Sequence, residues 1–140
     1  MNDLEVITEA NMAVQRISTG SPLEKQAGYS RAIRDGDWVH VAGTTGYDYA
    51  IMVMPDDVGQ QADNCFKTIS AALEEAGASL NDVVRARYYI TDPSYADEVF
   101  RITGKYFGDI RPAATMVVAG LIKTEMKIEI EVTARVGAGG

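Results

Sequence analysis

The chain has 140 residues, with 13 Lys or Arg against 20 Asp or Glu and a formal net charge of −7. This length fits one domain, and the acidic balance argues against a nucleic-acid partner bound mainly through its phosphates. The longest apolar run falls far short of the roughly 18 residues that a membrane span requires, so no membrane partner is expected.

Cysteine and histidine occur once each, as Cys65 and His40. One cysteine forms no intrachain disulfide, and the two residues offer neither a multi-cysteine nor a histidine-pair site, so we expect no metal. A Ser-His-Asp triad would have to use His40, but no nucleophile-elbow motif accompanies it. The sequence MNDLEVITEA at the start has neither the basic residues nor the apolar stretch of a secretory signal. We therefore expect a reducing, cytoplasmic setting.

The first predicted elements are strands. Residues 12–17 alternate weakly between apolar and polar side chains, as a short edge strand does. Residues 29–43 predict a hairpin, because two β-compatible runs flank residues 34–37 and the Asp-Gly pair there favours a tight turn. Residues 43–46, which contain two glycines, are expected to end the second arm, and residues 47–55 carry no assignable pattern.

Residues 57–76 predict the main helix, because apolar side chains recur there at the three-and-four spacing of one helical face. They are Val58, Ala62, Cys65, Phe66, Ile69, Ala72, Leu73 and Ala76. Asp56 or Asp57 is expected to cap the start, and Gly77 suits the left-handed position that follows a helix. Cys65 lies on the apolar face, which favours a buried thiol over a reactive one.

A strand and a second helix follow. Residues 83–91 alternate between two faces, as a strand does. One face carries Val84, Ala86, Tyr88 and Ile90, and the other carries Arg85, Arg87 and Tyr89. Asp92 is the expected cap and Pro93 the first residue of a helix that runs to about Phe107.

Two further strands complete the pattern. Residues 113–122 form an apolar run, and residues 125–136 alternate between apolar and polar side chains. The order of strands and helices predicts a single α+β domain over residues 1–136, with one mixed sheet and two helices on one face. Residues 137–140, Gly-Ala-Gly-Gly, are expected to form a flexible tail.

Helices on one face leave the second face of the sheet to solvent or to a partner. The predicted strand faces place Arg85, Arg87, Glu129 and Glu131 on it. One interpretation is an open, solvated sheet with cross-strand ion pairs. The other is a sheet that packs against copies of itself and forms polar clefts between subunits. The pattern alone favours neither.

Four ordered motifs carry a family resemblance: AGASLNDVV at 76–84, YITD at 89–92, RPA at 111–113 and KIEIE at 127–131. Together they resemble the Rid family of reactive intermediate deaminases, also called the YjgF family. Tyr29 and residues 42–44 also stand where that family has a tyrosine and a Ser-Gly segment. The resemblance covers about residues 26–136.

This resemblance implies a chorismate-mutase-like fold that assembles as a homotrimer. The sheets of such trimers close into a central barrel, the helices lie outside, and a cleft forms at each subunit interface. Well-studied members hydrolyse imines and enamines that pyridoxal-phosphate enzymes release, and they yield a 2-oxo acid and ammonia without a cofactor. The implied partner is therefore a small molecule of the imino-acid or oxo-acid type.

The resemblance also implies site residues. Glu129, the first glutamate of KIEIE, corresponds to the residue that orients the attacking water or transfers its proton. Tyr29 and Gly43 correspond to positions that line the cleft and contact the substrate. The family's substrate-binding arginine follows Pro-Ala, and Ala114 stands in its place. Alanine has no donor for a substrate carboxylate, so a non-standard specificity is expected.

Another arginine could take over the missing role. Arg111 lies three residues upstream of Ala114, and Arg85 and Arg87 lie on the polar face predicted for Glu129. Each is either a ligand of the substrate carboxylate or the ion-pair partner of an acidic side chain on a facing strand.

Three functions remain open at this point. The first is an enzyme that hydrolyses an imine, an enamine or a related labile metabolite. The second is a non-catalytic metabolite-binding module or sensor. The third is a ribonuclease or translation inhibitor, a label that some relatives carry, and the acidic charge and single histidine fit it least.

Overall fold

The computed structural model describes residues 13–140, so Met12, where the predicted edge strand begins, lies outside the described residues. The strands form one sheet in the order β1-β2-β3-β6-β4-β5. They are β1 (Gln15–Ile17), β2 (Ala32–Asp35), β3 (Trp38–Thr45), β4 (Val83–Ile90), β5 (Ala113–Val118) and β6 (Ile128–Arg135). β4 and β5 are parallel, and the other neighbours are antiparallel. The α+β class and the mixed sheet are confirmed.

Three α-helices connect these strands within residues 13–140: α1 (Pro22–Ala27), α2 (Val58–Glu75) and α3 (Ala96–Phe107). The sequence pattern did not predict α1, which begins with proline at its first position and is followed by Gly28, where φ is 77°. The predicted second helix is divided, because a 3-10 turn at Pro93–Tyr95 precedes α3. The Asp92 side chain caps that turn by accepting a hydrogen bond from the backbone N–H of Ser94.

The predicted hairpin is confirmed, but its second arm is longer than expected. Asp35 pairs with Trp38, and Gly36 takes a φ of 61° in the tight turn between them. The prediction that residues 43–46 end the strand is wrong, because β3 continues through Gly43 to Thr45. Its pairing with β6 shifts register between Val41 and Thr44, which is a β-bulge. The bulge leaves both Thr44 and Thr45 buried.

A second irregularity corrects the predicted face of β4. The register between β4 and β6 shifts between Val83 and Arg85. Val83 is therefore buried at 3% exposure, whereas Val84 is 37% exposed. The remaining inward residues, Ala86, Tyr88 and Ile90, are buried as predicted. A bulge inserts one residue into the two-residue period, so strict alternation assigns the first residues of the strand to the wrong face.

The apolar run at residues 113–122 gives a shorter strand than predicted, since β5 ends at Val118. β5 pairs only with β4 and forms one edge of the sheet. Its side chains are largely exposed despite their apolar character, Val117 to 38% and Val118 to 51%. An apolar strand on an open sheet edge is typical of a surface that pairs with another chain.

The core lies between the sheet and the two long helices. α2 packs on β3 and β6, and α3 packs on α2. Phe66 of α2 is fully buried and stacks on Tyr106 at 4.5 Å between ring centroids. As predicted, Cys65 is buried and Asp57 caps α2, accepting a hydrogen bond from the backbone N–H of Gln60. Gly77 follows the helix with a φ of 84°.

Gln61 of α2 joins the helix to the segment that precedes β6. Its side chain is fully buried, and its Nε2 donates to the carbonyls of Pro55 at 2.7 Å and Glu125 at 2.9 Å. Its Oε1 accepts from the backbone N–H of Lys127 at 2.9 Å. Gln61 thus satisfies three backbone groups beside the strand that carries Glu129.

We expect Gln61→Leu to lower the free energy of unfolding by about 3 kcal/mol, because three backbone groups lose a buried partner. Gln60→Leu is the matched control, since Gln60 is the adjacent residue and is exposed. Chemical denaturation of both variants measures the difference. Equal midpoints for the two variants would show that these hydrogen bonds contribute nothing net.

Residues 137–140 form turns after β6, and the backbone N–H of Gly139 donates to Asp82 at 3.0 Å. Their flexibility stays a prediction. Across residues 13–140, no helix combines the length and the apolar character needed to traverse a lipid bilayer.

Candidate functional site

A cavity of about 210 Å³ lies beside α1, over the bulged end of β3. Three of the predicted site residues, Tyr29, Gly43 and Glu129, line it together. The other lining residues come from α1 and the residue before it, from the residue before β2, from the end of β3 and the segment after it, and from the segment before β6. They are Ser21, Pro22, Leu23, Gln26, Arg31, Thr45, Tyr47, Tyr49, Met52, Ile122, Lys123 and Met126.

Glu129 reaches this cavity because Gly43 leaves room for its carboxylate. Glu129 pairs with Thr45 across β3 and β6, just beyond the bulge. A Cβ on Gly43 would lie 2.8 Å from Oε1 of Glu129, which is closer than such atoms approach. No group in residues 13–140 donates a hydrogen bond to this carboxylate. Burial and the nearby Glu131 raise its pKa above the ordinary value, and Arg31 opposes that rise.

We expect Gly43→Ala to displace the Glu129 side chain while the fold is kept, because a long side chain swings aside more easily than backbone does. Any turnover that depends on Glu129 should fall at least about tenfold. Gly104→Ala is the control, since a Cβ there meets nothing within 4 Å. That helical position should gain about 0.5–1 kcal/mol of stability. Full turnover in Gly43→Ala would show that the position of the carboxylate over Gly43 is not required.

Arg31 is a cavity residue that the sequence analysis missed. Its side chain is 1% exposed, and one terminal nitrogen donates to the Gly43 carbonyl at 2.8 Å and to Thr44 Oγ1 at 2.9 Å. The other terminal nitrogen donates to the Tyr29 hydroxyl at 3.2 Å. The guanidinium also lies over the Tyr49 ring, 5.2 Å from its centroid. Arg31 directly precedes β2, and the strand pattern of the sequence gives no sign that an arginine there is buried.

The unassigned residues 47–55 supply two aromatic walls of the cavity. The Tyr47 hydroxyl donates to Glu125 at 2.8 Å. Burial, together with that carboxylate, raises the pKa of Tyr47 to about 12. The Tyr49 hydroxyl accepts from the backbone N–H of Thr45 at 3.4 Å. The Tyr47 phenol is therefore neutral over the physiological pH range, and the hydroxyls of both tyrosines act as fixed hydrogen-bonding groups.

Arg87 and Arg85 lie elsewhere on the polar sheet face. Arg87 forms an ion pair with Glu131 at 3.5 Å, and Tyr89 donates to the same carboxylate at 2.7 Å. Arg85 donates to Thr115 at 3.1 Å. The two arginines line a separate hollow and not the Glu129 cavity. For Arg87 the cross-strand ion pair, the alternative weighed from the sequence, is the contact observed within the chain.

Arg111 and Ala114 also lie away from Glu129 within one chain. Arg111 has a φ of 54° and lines a hollow beside Asp109 and Ala113. Ala114 is exposed on β5, where it pairs with Ala86 of β4. The structure therefore brings together only three of the six predicted site residues, and their roles in binding and catalysis stay predictions.

The cavity combines an unpaired carboxylate with neutral hydroxyl groups and a buried cation. A half-buried carboxylate without a protein partner can accept a proton from water. The hydroxyls can orient a polar ligand, and Met52, Ile122 and Met126 give the walls an apolar part. Among residues 13–140, no group of three or more His, Cys, Asp or Glu side chains is placed to hold a metal ion.

Comparison with known proteins agrees with this fold. A protein-family model described as endoribonuclease L-PSP matches residues 19–136. An uncharacterized protein of Streptomyces coelicolor is 35% identical over 127 residues, which are 90% of this chain and 95% of that protein. A RutC family protein of Pyrococcus abyssi is 33% identical over 124 residues, which are 88% of this chain and 98% of that protein.

A solved structure is similar over the same range. The crystal structure of a member of the YjgF/YER057c/UK114 family from Mycobacterium tuberculosis superposes with a TM-score of 0.81 at 42% sequence identity. The match covers 89% of this chain and 100% of that one. Sequence and fold therefore indicate the same group of proteins.

Proposed function

The chain belongs to the endoribonuclease L-PSP family, also called the YjgF or Rid family, and from this premise we propose that it hydrolyses a small imine, an enamine or a related labile metabolite. The reaction takes place in clefts between the subunits of a homotrimer. It needs no cofactor, because water is the only other reactant.

The observation that carries this proposal is the Glu129 carboxylate in the 210 Å³ cavity that Tyr29 and Gly43 also line. A carboxylate that is half-buried and has no donor partner in residues 13–140 is costly to keep, because burial disfavours its charge. Such a cost is typical of a group whose partner arrives with the substrate or the attacking water. The volume suits a molecule of a few heavy atoms.

The chemistry requires one positioned water. Glu129 accepts a proton from the water as its oxygen bonds to the imine carbon, and the C=N π electrons move to nitrogen, which takes up a proton. Glu129 then returns its proton to the nitrogen of the resulting carbinolamine, and the C–N bond breaks with its electron pair leaving on ammonia. The hydroxyl group loses its proton in the same step, and its O–H electron pair becomes the second bond of the carbonyl. An imine and water thus give a ketone or an oxo acid and ammonia.

Ala114 sets the expected specificity. A methyl group there cannot form the two charge-assisted bonds that a guanidinium gives a carboxylate. The preferred substrate therefore lacks an amino-acid carboxylate or binds it through another cation of the cleft, such as Arg111 or Arg87 of a neighbouring subunit. Exposed Ala114 lies on the apolar edge strand β5, where subunits are proposed to meet.

Ammonia release from freshly generated 2-imino acids tests the proposal. An amino-acid oxidase supplies the imino acid, and the protein is added at micromolar concentration. We expect a rate above that of buffer alone, and Glu129→Ala should return it to the background. Equal rates for the wild type, the variant and buffer would defeat the hydrolytic proposal.

The second candidate is a metabolite-binding module, which the methyl group of Ala114 favours because it removes a substrate anchor. A ligand that binds only the folded state raises the midpoint of thermal unfolding. A thermal-shift screen with small carboxylates and aromatic acids separates the two functions. A stabilising acid, combined with no ammonia release from the matching imine, would favour the module.

RNA cleavage, which the family description names, is not part of our proposal. The one histidine of the chain, His40, is exposed on β3 and does not line the Glu129 cavity. The net charge of −7 also opposes binding to a polyanion. Intact RNA after incubation with the pure protein is the expected result.

A further inference from the structure

Arg31 is a buried cation without an ion-pair partner. No carboxylate oxygen in residues 13–140 lies within 4 Å of its nitrogens. Its Nε is buried and has no hydrogen-bond partner among the described residues. The nearby buried carboxylate of Glu24 accepts instead from the backbone N–H and hydroxyl of Thr19. A guanidinium held in this way costs several kcal/mol in desolvation, so its position calls for a functional reason.

The hydrogen bonds of Arg31 fix two walls of the Glu129 cavity. One terminal nitrogen holds the Gly43 carbonyl, and Gly43 is the residue over which the Glu129 carboxylate lies. The other holds the Tyr29 hydroxyl. Because a guanidinium only donates, the Tyr29 oxygen accepts in that bond. The hydrogen of the Tyr29 hydroxyl is therefore free to point at a ligand.

We propose that Arg31 is a positioning residue for this site: it holds Tyr29 as a hydrogen-bond donor to the ligand and keeps the Glu129 carboxylate ionised beside it. This inference rests on the proposed function for the reaction itself, but its two parts concern binding and charge. It also narrows the substrate class. The ligand must carry an acceptor, such as a carboxylate or carbonyl oxygen, next to the carbon that water attacks.

Several charged and titratable groups surround Glu129. Glu131 on the same strand disfavours its charge, and Arg31 favours it. Four other groups line the same cavity, namely Tyr29, Tyr47, Tyr49 and Lys123. Tyr89 is the cross-strand neighbour of Glu129 on β4. The Cys65 thiol lies behind Glu129 on α2. Burial raises the pKa of Tyr29, of Tyr47 and of the Cys65 thiol, so these three groups are neutral near pH 7. Among the residues that line the cavity, Arg31 and Lys123 are the two cations, and Arg31 is the buried one.

The effect of Arg31 on the charge of Glu129 is tested without any assay of turnover. Glu129 is followed by NMR with carbon-13 in the glutamate carboxyl groups, and its signal is assigned by its loss in Glu129→Gln. We expect the Glu129 pKa to rise in Arg31→Gln, because an opposite charge is removed. Arg34→Gln is the matched control, since Arg34 lies on the neighbouring β2 and donates to the Ala76 carbonyl away from the cavity. It should leave the titration unchanged.

The binding part uses Arg31→Lys, Tyr29→Phe and pyruvate, the simplest 2-oxo acid, as the probe. Both variants should weaken pyruvate binding about tenfold, the factor for one lost hydrogen bond, and Arg31→Lys should keep the Glu129 titration near that of wild type. If Arg31→Gln does not fold, Arg31→Lys decides alone, and unchanged pyruvate binding in it overturns the inference. An unchanged Glu129 titration in a folded Arg31→Gln overturns it as well. Neither the Glu129 titration nor pyruvate binding depends on turnover, so a missing hydrolase activity would defeat the proposed function only.

Discussion

Glu129→Gln is expected to lower the release of ammonia from 2-imino acids at least about 100-fold, because the amide cannot accept the proton of the attacking water. The amide keeps the size and most hydrogen-bonding positions of the carboxylate, so ligand binding should change little. Steady-state kinetics with the oxidase-coupled assay measure kcat and KM separately. Glu131→Gln is the matched control, since Glu131 lies two residues away, bound to Arg87 and Tyr89.

Glu129→Gln should also be more stable than the wild type near neutral pH. Burial raises the Glu129 pKa, so the unfolded chain loses this proton more readily than the folded chain as the pH rises. The resulting loss of folding stability is absent below the ordinary glutamate pKa of about 4.3, where the folded and unfolded states are both protonated. It is fully present above the raised pKa that Glu129 has in the folded state. Melting curves of Glu129→Gln and wild type should coincide at about pH 3.5 and separate by about pH 8.

An unaltered kcat in Glu129→Gln would exclude Glu129 as the base.

Val117→Asp is expected to convert the proposed trimer into a 15.1 kDa monomer and to abolish turnover. Val117 is an apolar side chain, 38% exposed on the free edge strand β5, on the sheet face that also carries Tyr89. A carboxylate at a subunit contact would lose its hydration without gaining a partner, at a cost of several kcal/mol per subunit. Gel filtration with light scattering measures the mass at micromolar concentration.

Val14→Asp is the control for this variant. Val14 has nearly the same exposure, 40%, and lies before β1 at the opposite end of the sheet. It should leave both the mass and the turnover unchanged. A wild-type chain that elutes as a monomer would remove the intersubunit clefts, and a Val117→Asp chain that stays trimeric would place the contacts elsewhere.

The helices and strands in which apolar side chains recur without interruption could be predicted from the sequence. Residues 125–136 alternate strictly, and β6, which is shorter than predicted at Ile128–Arg135, has the buried face that this alternation predicts. α2 likewise begins and ends within one residue of the predicted bounds and has one of the two predicted caps, Asp57. Two of the errors fall at the bulges near Val41 and Val83, because each bulge inserts one residue and so interrupts the two-residue alternation of the strand. No local residue signal marks the insertion in β4.

The cavity residues also include some that the sequence predicts and some that it does not. Glu129, Tyr29 and Gly43 belong to motifs that the sequence carries, and they share one cavity. Arg31 and Tyr49 could not be foreseen, because their burial depends on how the irregular residues after β3 fold back over the bulge. A charged side chain inside a strand pattern reads as solvent-facing. Here the guanidinium is enclosed by backbone carbonyl, hydroxyl and aromatic groups instead.

The position of β6 has a consequence for synthesis on the ribosome. β6 comes last among the six strands along the chain, yet it pairs with both β3 and β4 in the middle of the sheet. Until residues 128–135 leave the exit tunnel, the nascent polypeptide holds two half-sheets whose inner edges have no neighbour. Completion of the sheet should therefore be slow for the length of the chain, and arrested ribosomes carrying chains that stop before residue 128 should show high sensitivity to protease.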